Sequence, residues 1–272
     1  MRSTMQSMAR LQRNPAQRQG EIKRLLLARG ALSVDELCTL VSASPATIRR
    51  DLAYLQDQLG IARTHGGAAV QGLRPAEQDF AAREAQDVEE KRAIAEAALA
   101  LIEPGSTIFM NDGSSIMAIA KAIVASGIEL FVATPAVNIA TTLSENPKAT
   151  VCLLGGFLRQ TSLATSGPFA EAMAAQINAD LALISPDGLT AEGGVTFTYA
   201  GDAALARCMS DKARRTIAIA TGAKLRRAER IGALPLSSVG EIITGCKDDV
   251  LLQSLRKRGV KVTQVDIAGA VA

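Results

Sequence analysis

The sequence predicts an α/β domain built on a mainly parallel sheet, preceded by a small helical module that ends in a β-hairpin. Three observations carry that prediction. From Ser106 onward, short apolar runs alternate with helical patterns, as repeated β-α units require. Before residue 60, three amphipathic segments are separated by turn residues. Charge also divides: residues 1–74 hold eleven basic against five acidic side chains, the remainder nineteen against twenty-two. A basic head on a mildly acidic body is the electrostatic footprint of a module that binds a polyanion.

The 272 residues suffice for two domains at roughly 100–200 residues each. A hydrophobic share of 48% with scattered charge excludes a disordered chain. An aromatic share of 3% argues against recognition of single strands by base stacking. No apolar run approaches the ~20 residues needed to span a bilayer, so no membrane partner is expected. Met1–Pro15 lacks the apolar stretch of a secretory signal, which predicts a cytoplasmic protein with a flexible basic tail over residues 1–16. Cys38, Cys152, Cys208 and Cys246 lie far apart in apolar surroundings. They predict reduced, mostly buried thiols, with no metal site and no cofactor.

The head is expected over residues 17–70. Gln17–Ala28 places Ile22, Leu25 and Leu26 at helical spacing and stops at Arg29-Gly30. Ser33 stands three residues before Glu36, the capping-box spacing, and opens Val34–Val41. Ser44 is an N-cap, and Pro45 takes the first helical position, where its missing N–H is tolerated. The third helix, Ala46–Leu59, turns Ile48, Leu52, Leu55 and Leu59 inward. Two short helices joined by a tight turn make a helix-turn-helix. With Ile48 and Leu52 inward, 3.6 residues per turn point Ala46 and Arg50 away and put Thr47 and Arg49 on the flanks. The exposed amino end of such a helix meets base edges in the major groove of double-stranded DNA. Arg50 is the candidate for guanine, with Ser44, Ala46, Thr47 and Arg49 for bases or phosphate. Beyond Gly60, Ile61–Thr64 and Ala68–Val70 read as a hairpin around His65-Gly66-Gly67. This is a wing whose Arg63, His65 and Gly66 can rest on the backbone.

The string Ser44-Pro45-Ala46-Thr47-Ile48-Arg49-Arg50-Asp51-Leu52, followed by Arg63-Thr64-His65-Gly66-Gly67-Ala68, resembles the signature of the DeoR family of bacterial sugar-metabolism regulators. The match runs without a gap from about Arg18 to Ala69. It implies a sequence-specific transcriptional regulator, a repressor of a carbohydrate-metabolism operon.

Residues 71–102 read as a linker with Gly72 and Pro75, followed by a charged helical connector over Phe80–Ile102. Phe80, Arg83, Glu90-Lys91 and Ile94-Ala95 resemble the family's connector; an extended dimerisation arm is the alternative. Residues 103–272 form the α/β domain. Strands are expected at Thr107–Met110, Glu129–Ala133, Thr150–Leu154, Asp180–Ser185, Thr216–Ala220, Glu241–Thr244 and Lys261–Val265. Helices are expected at Ser115–Ala125, Ala136–Leu143, Pro168–Ile177, Ala203–Lys212 and Asp249–Arg258. Ligands of such sheets bind beyond the carboxyl ends of the strands. Asn111-Asp112-Gly113-Ser114-Ser115 offers a glycine, two hydroxyls and helix N-terminal amides, which suit an anion. Gly155-Gly156 and Arg159 permit close approach and supply a cation, Asp187 can accept sugar hydroxyls, and Thr134 and Lys224 follow two further strands.

These positions resemble the family's effector-binding and oligomerisation domain, which shares its fold with ribose-5-phosphate isomerase and CoA transferases. The resemblance implies that Gly113, Ser114 and Ser115 hold the phosphate of a small phosphorylated metabolite, helped by Thr134. Gly156, Asp187 and Lys224 would line the rest, in a homo-oligomer that is not an enzyme. The chain departs from the family pattern at Asn111-Asp112-Gly113-Ser114-Ser115, where Asp-Ser-Gly-Thr-Thr is common. It also has Pro135 in place of an asparagine and Thr221 in place of an acid. A rival reading is a sugar-phosphate isomerase or CoA-transferase-like enzyme with a DNA-binding head. Its candidate bases Asp112, Asp187, Glu192 and Asp202 form no compact acid/base motif. A third reading is a dimerisation scaffold without a working pocket.

Overall fold

Ser33 and Glu36 close a reciprocal cap. The Ser33 hydroxyl accepts from the Glu36 amide at 3.1 Å, and the Glu36 carboxylate accepts from the Ser33 amide at 2.8 Å. That cap starts the helix Val34–Val41, which ends on Ser42 in the left-handed conformation (φ 54°). Ser44 then caps Pro45–Leu59 by accepting from the Thr47 amide at 3.2 Å. Both helices thus begin as their capping residues dictate. The computed structural model describes residues 15, 18–22, 25, 31–59, 61–64, 67–70 and 80–267. The chain divides into two compact units, Met1–Gln78 and Asp79–Ala272.

In the first unit, residues 18–22 are helical, and Ile22 joins Val34, Leu37, Val41, Ile48, Leu52 and Leu55 in one buried cluster. Strands β1 (Ala31–Ser33), β2 (Ile61–Thr64) and β3 (Gly67–Val70) form an antiparallel sheet in the order β1-β3-β2. The hairpin was legible in the sequence. β1 was not, because three residues without alternation carry no strand signal. The expected tail over 1–16, the end of the first helix and the linker 71–79 lie outside the described residues, save position 15.

A buried ion pair ties the helix Pro45–Leu59 to the first one. Asp51, 3% exposed, accepts from Arg18 Nε at 2.5 Å and Nη2 at 3.2 Å, and from Gln19 Nε2 at 3.0 Å. The Asp51 carboxylate raises the Arg18 pKa further above its usual value. Asp51 is therefore engaged away from its neighbours Arg49 and Arg50, both exposed.

The second unit holds strands β4 (Thr107–Met110), β5 (Leu130–Thr134), β6 (Ala149–Leu153), β7 (Phe157–Arg159), β8 (Ala164–Ser166) and β9 (Ala179–Ile184). After them come β10 (Gly188–Thr190), β11 (Gly194–Phe197), β12 (Ala213–Ile219), β13 (Ile231–Leu234), β14 (Glu241–Thr244) and β15 (Lys261–Gln264). Seven pair in parallel in the order β15-β14-β12-β9-β4-β5-β6. Alternate residues feed two cores, as period-2 geometry requires. Ile108, Met110, Leu181, Leu183, Ile217 and Ile219 face one way, and Phe109, Ala182, Ile184, Ala218 and Ala220 the other. The first core also contains Ile94, Ala98, Ile116, Ile119 and Leu143, from the helices Val88–Leu99, Ser114–Ser126 and Val137–Leu143. The second contains Ala170, Leu205 and Leu252, from Pro168–Ala174, Ala200–Asp211 and Asp249–Arg256.

All seven expected sheet strands appear, displaced by three residues at most. Five short strands do not follow the α/β alternation. β7 and β8 form a hairpin, and β10, β11 and β13 a small antiparallel sheet that packs Leu189, Val195 and Leu234 into the second core. The connector is two helices, Phe80–Glu84 and Val88–Leu99, separated by a turn with Asp87 at φ 50°. Ile94 and Ala98 are fully buried, so the connector lies against the sheet and is not an extended arm. The cysteines are unpaired; Cys246 is buried and the other three are half-buried. Among the described residues no helix is long and apolar enough to cross a membrane.

Replacing Asp51 with alanine removes a buried carboxylate that the largely buried Arg18 guanidinium contacts through two nitrogens. The expected cost is about 3 kcal/mol, the low end for breaking a buried pair, because Arg18 keeps some access to water. Hydrogen exchange at Leu37 and Leu52 is expected to accelerate on the order of a hundredfold, whereas Arg49→Ala leaves it within a few-fold.

Candidate functional site

Strand order determines where the sheet can hold a ligand. From β4 the chain winds outward through β5 to β6, while β9 returns to the other side of β4 and winds outward through β12, β14 and β15. The loops leaving β4 and β9 therefore diverge, and the crevice between them is the topological switch point at which open α/β sheets bind ligands. Asn111 spans it. Its side-chain nitrogen donates to the Ser185 carbonyl at 3.0 Å, and its oxygen accepts from the Ser185 amide at 2.7 Å.

Gly113 follows at φ 118°, a conformation that favours glycine, and is the N-cap of the helix Ser114–Ser126. No side-chain oxygen caps that helix. Its first amides, at Ser114 and Ser115, therefore lack the usual side-chain acceptor at the mouth of the crevice. Ser114 is half-buried and Ser115 buried. The positive end of the helix and its uncapped N–H groups together favour an anion.

Charged groups of both signs line the same place. Arg159, on β7, contacts the Asp202 carboxylate, approaches Asp112 at 3.8 Å, donates to the Ser162 hydroxyl at 3.1 Å and stacks over the Tyr199 ring at 4.1 Å. Lys224 lies 3.9 Å from Asp187, whose other oxygen accepts from the Thr198 amide at 2.9 Å. Burial holds the Asp112 carboxyl above the usual carboxylate range, with the Asp187 charge adding to it and Arg159 and Arg83 opposing it. Burial likewise lowers the Lys224 pKa, against the attraction of Asp187 and with help from the Arg83 charge. Arg83, on the connector, belongs to the same electrostatic neighbourhood although it was read from the sequence only as a connector residue.

The structure brings together Asp112, Gly113, Ser114, Ser115, Arg159, Asp187 and Lys224. Thr134 and Gly156 have local duties. Thr134 is fully buried, and its hydroxyl accepts from the Ala136 amide at 3.2 Å. A β-carbon at Gly156 (φ 148°) would lie 2.6 Å from the Ser166 carbonyl oxygen, so close packing of the β7–β8 hairpin requires glycine there. Of the acids weighed as bases, Asp202 is paired with Arg159, and Glu192 is 78% exposed beside Arg258 at 3.8 Å. A shallow polar cleft lined by Asp180, Asp211 and Arg214 lies at the opposite, amino-terminal edge of the sheet.

Two further anchors hold the connector. Glu90 accepts from the amides of Gly222 at 2.8 Å and Gly245 at 3.0 Å, which follow β12 and β14. Burial raises its pKa against those two hydrogen bonds. Lys91, 6% exposed, donates through its ammonium to the carbonyls of Arg83 and Gln86 and so pins the turn between the two connector helices.

In the first unit, Ser44, Ala46, Arg49 and Arg50 are exposed, Thr47 is half-buried and Ile48 is buried. The Ser44 and Thr47 hydroxyls lie 2.8 Å apart. Tyr54, 53% exposed, shares the Ala46–Arg50 face at helical spacing, a position that a search for basic residues overlooks. Arg63 lies on β2; His65 and Gly66 lie outside the described residues.

Residues 86–246 match the family model described as the DeoR C terminal sensor domain, and residues 18–72 that of the DeoR-like helix-turn-helix domain. The chain is 32% identical to the HTH-type transcriptional regulator GlpR of Haloferax volcanii, over 91% of this chain and 97% of that protein. It is 30% identical to the HTH-type transcriptional repressor CsqR of Escherichia coli, over 96% and 97%. Among solved structures, ribose 5-phosphate isomerase A from Neisseria gonorrhoeae is similar at a TM-score of 0.38 and 15% identity, over 52% of this chain and 53% of that one. Translation initiation factor eIF-2B from Pyrococcus horikoshii is similar at 0.42 and 14%, over 84% and 81%.

Asn111→Ala removes both bonds across the crevice and leaves the Ser185 N–H and C=O without those partners. A loss of about 1–3 kcal/mol is expected for each group left unsatisfied. A lowered melting temperature with unchanged far-ultraviolet circular dichroism checks it.

Proposed function

The chain belongs to the DeoR family of transcriptional regulators, and on that premise we propose that it represses a carbohydrate-metabolism operon in the cytoplasm under control of a phosphorylated sugar or related metabolite. The observation that carries this reading is the uncapped amino end of the Ser114–Ser126 helix, open at the switch point beside Lys224 and Arg159. The phosphate sits on the amides and hydroxyls of Gly113, Ser114 and Ser115. Asp112 and Asp187 receive sugar hydroxyls, and Arg159 and Lys224 balance the charge. Thr134 and Gly156 support the walls. The ligand does not react, since the acids nearest the crevice are engaged by Arg159, Lys224 or a backbone amide.

On the DNA side, Arg50 reads a base and Ala46 lets the helix approach the groove. Ser44, Thr47 and Arg49 bind backbone, with Arg63, His65 and Gly66 of the wing resting on the flanking phosphates. Two heads in a homo-oligomer then multiply affinity through effective concentration. Phe157 and Phe169, 67% and 65% exposed with ring centroids 6.0 Å apart, are candidates for that subunit contact. Light scattering of the full-length protein checks the assembly, and a monomer on and off DNA excludes it.

Arg50→Ala is expected to lose about 1–3 kcal/mol of discrimination between operator and random DNA. Arg63→Ala weakens both alike and lowers the salt dependence by about one phosphate contact. Fluorescence anisotropy across a salt series measures both, and an Arg50→Ala protein that keeps its operator preference overturns the assignment.

A thermal-shift screen of sugar phosphates, followed by DNA binding with any hit, tests the sensor. A typical coupling of ~1–3 kcal/mol changes operator affinity some 5–150-fold, and DNA changes ligand affinity by the same factor. Ser114→Glu places a like charge at the phosphate position and abolishes the response. Ligand affinity falls as pH rises through the Lys224 pKa. Burial lowers that pKa, so the loss begins below the ordinary lysine value of 10.5. Lys224→Met binds weakly throughout and lacks this alkaline limb. A Ser114→Glu protein that responds as wild type does sinks the placement.

A further inference from the structure

We propose that Arg83 is an anion-binding residue of the crevice, so that the connector itself contributes a ligand contact to the sensor's site. The inference rests on the reading of that crevice as an anion site. It begins from an unsatisfied group. Arg83 Nε and Nη2 are buried and have no hydrogen-bond partner among the described residues. A guanidinium stays charged at every physiological pH, so the cost of burying it cannot be relieved by losing a proton. Buried charges are ordinarily paired, and one left without an acceptor calls for a partner that arrives from outside.

The two empty donors lie on one edge of the group. Nε–H and Nη2–H project side by side and donate two parallel bonds to two oxygens of one phosphate or carboxylate. The cations assigned from sequence are engaged differently. Arg159 contacts Asp202, Asp112 and the Ser162 hydroxyl, and Lys224 stands by Asp187. The Arg83 charge acts on both Asp112 and Lys224, so it shares their electrostatic neighbourhood, and the helix it belongs to packs on the Ser114–Ser126 helix.

Its backbone is fixed as well. Phe80 is buried in the core with the Arg83 guanidinium 5.9 Å from its ring, and the Lys91 ammonium holds the Arg83 carbonyl. Hydrocarbon on one side and the Lys91 anchor on the other hold the Phe80–Glu84 helix so that its one arginine bears on the crevice. An anion that pairs with Arg83 therefore draws on the segment that follows the DNA-binding head in the chain. This gives the connector a direct share in the binding energy, and it requires no relay of packed side chains.

The test uses the full-length protein and inorganic phosphate, with chloride at matched ionic strength as control. In the wild type, phosphate raises the melting temperature and slows hydrogen exchange over residues 80–91. Arg83→Met removes a half-buried charge with two buried, unpartnered donors, so the phosphate-free variant melts higher than wild type. A merely structural arginine would give the opposite sign. The same variant loses the phosphate-induced shift and the slowed exchange, with apparent phosphate affinity reduced roughly thirtyfold or more. Arg83→Lys keeps the charge but not the paired donors, and it recovers part of the shift. If Ser114→Glu abolishes the shift while Arg83→Met retains it, the crevice reading stands and the role of Arg83 is overturned. An Arg83→Met protein that melts below wild type without phosphate overturns that role too. If Ser114→Glu shifts as wild type does, or phosphate leaves the wild type unshifted, the crevice reading itself falls.

Discussion

The sensor depends on the pairing of β4 with β9. These neighbours lie in register from Ile108 opposite Leu181 to Met110 opposite Leu183, yet their chains depart in opposite directions. Neither departing loop can fill the gap between them. Asn111 is the brace across it, because an amide offers both a donor and an acceptor and Ser185 presents one of each. The ionised carboxylate common in the family at this position accepts but does not donate, so asparagine here exchanges one structural solution for another. Two residues past the brace, Gly113 takes a turn conformation that favours glycine, and the helix that starts there has no side-chain cap from it.

Charged groups of both signs meet at this crevice. Three cations, Arg83, Arg159 and Lys224, come from the connector, the β7–β8 hairpin and the turn after β12; Asp112 and Asp202 flank Arg159, and Asp187 flanks Lys224. Desolvation works against both signs, raising the Asp112 pKa and lowering that of Lys224. In the proposed complex a phosphate would relieve the cations, and sugar hydroxyls would donate to the acids. The head uses the same device in reverse. Asp51 is buried against Arg18, and the two arginines beside it in sequence remain exposed on the helix face that a DNA groove would meet.

Local signals made most of this legible. The capping pair Ser33–Glu36 and the N-cap Ser44 followed by Pro45 located two helix starts, and apolar runs located seven parallel strands. The five short strands stayed hidden because three or four residues of β7, β8, β10, β11 and β13 carry no dependable period, and their pairing is decided by the core they cover. At the site, the loop Asn111–Ser115, Arg159, Asp187 and Lys224 were found as chemistry at strand ends. Two glycine and hydroxyl signals had other causes: Gly156 answers to the Ser166 carbonyl and Thr134 to the Ala136 amide. Arg83 was legible only as a connector residue and Asp202 only as a candidate base, since both lie on helices and only the tertiary fold carries them to Asp112, Lys224 and Arg159. Asp51 was hidden too. Its partner Arg18 lies 33 positions away, beyond the reach of any local pattern.

The account stands on a phosphate lodged at the amino end of the Ser114–Ser126 helix. A crystal structure of the full-length protein with a sugar phosphate identified by screening tests that claim most directly. The account predicts phosphate density within hydrogen-bond distance of the Ser114 and Ser115 amides, with the sugar extending toward Asp187 and Lys224. Density for the phosphate elsewhere, with the Ser114 and Ser115 amides solvated or closed by protein, contradicts it.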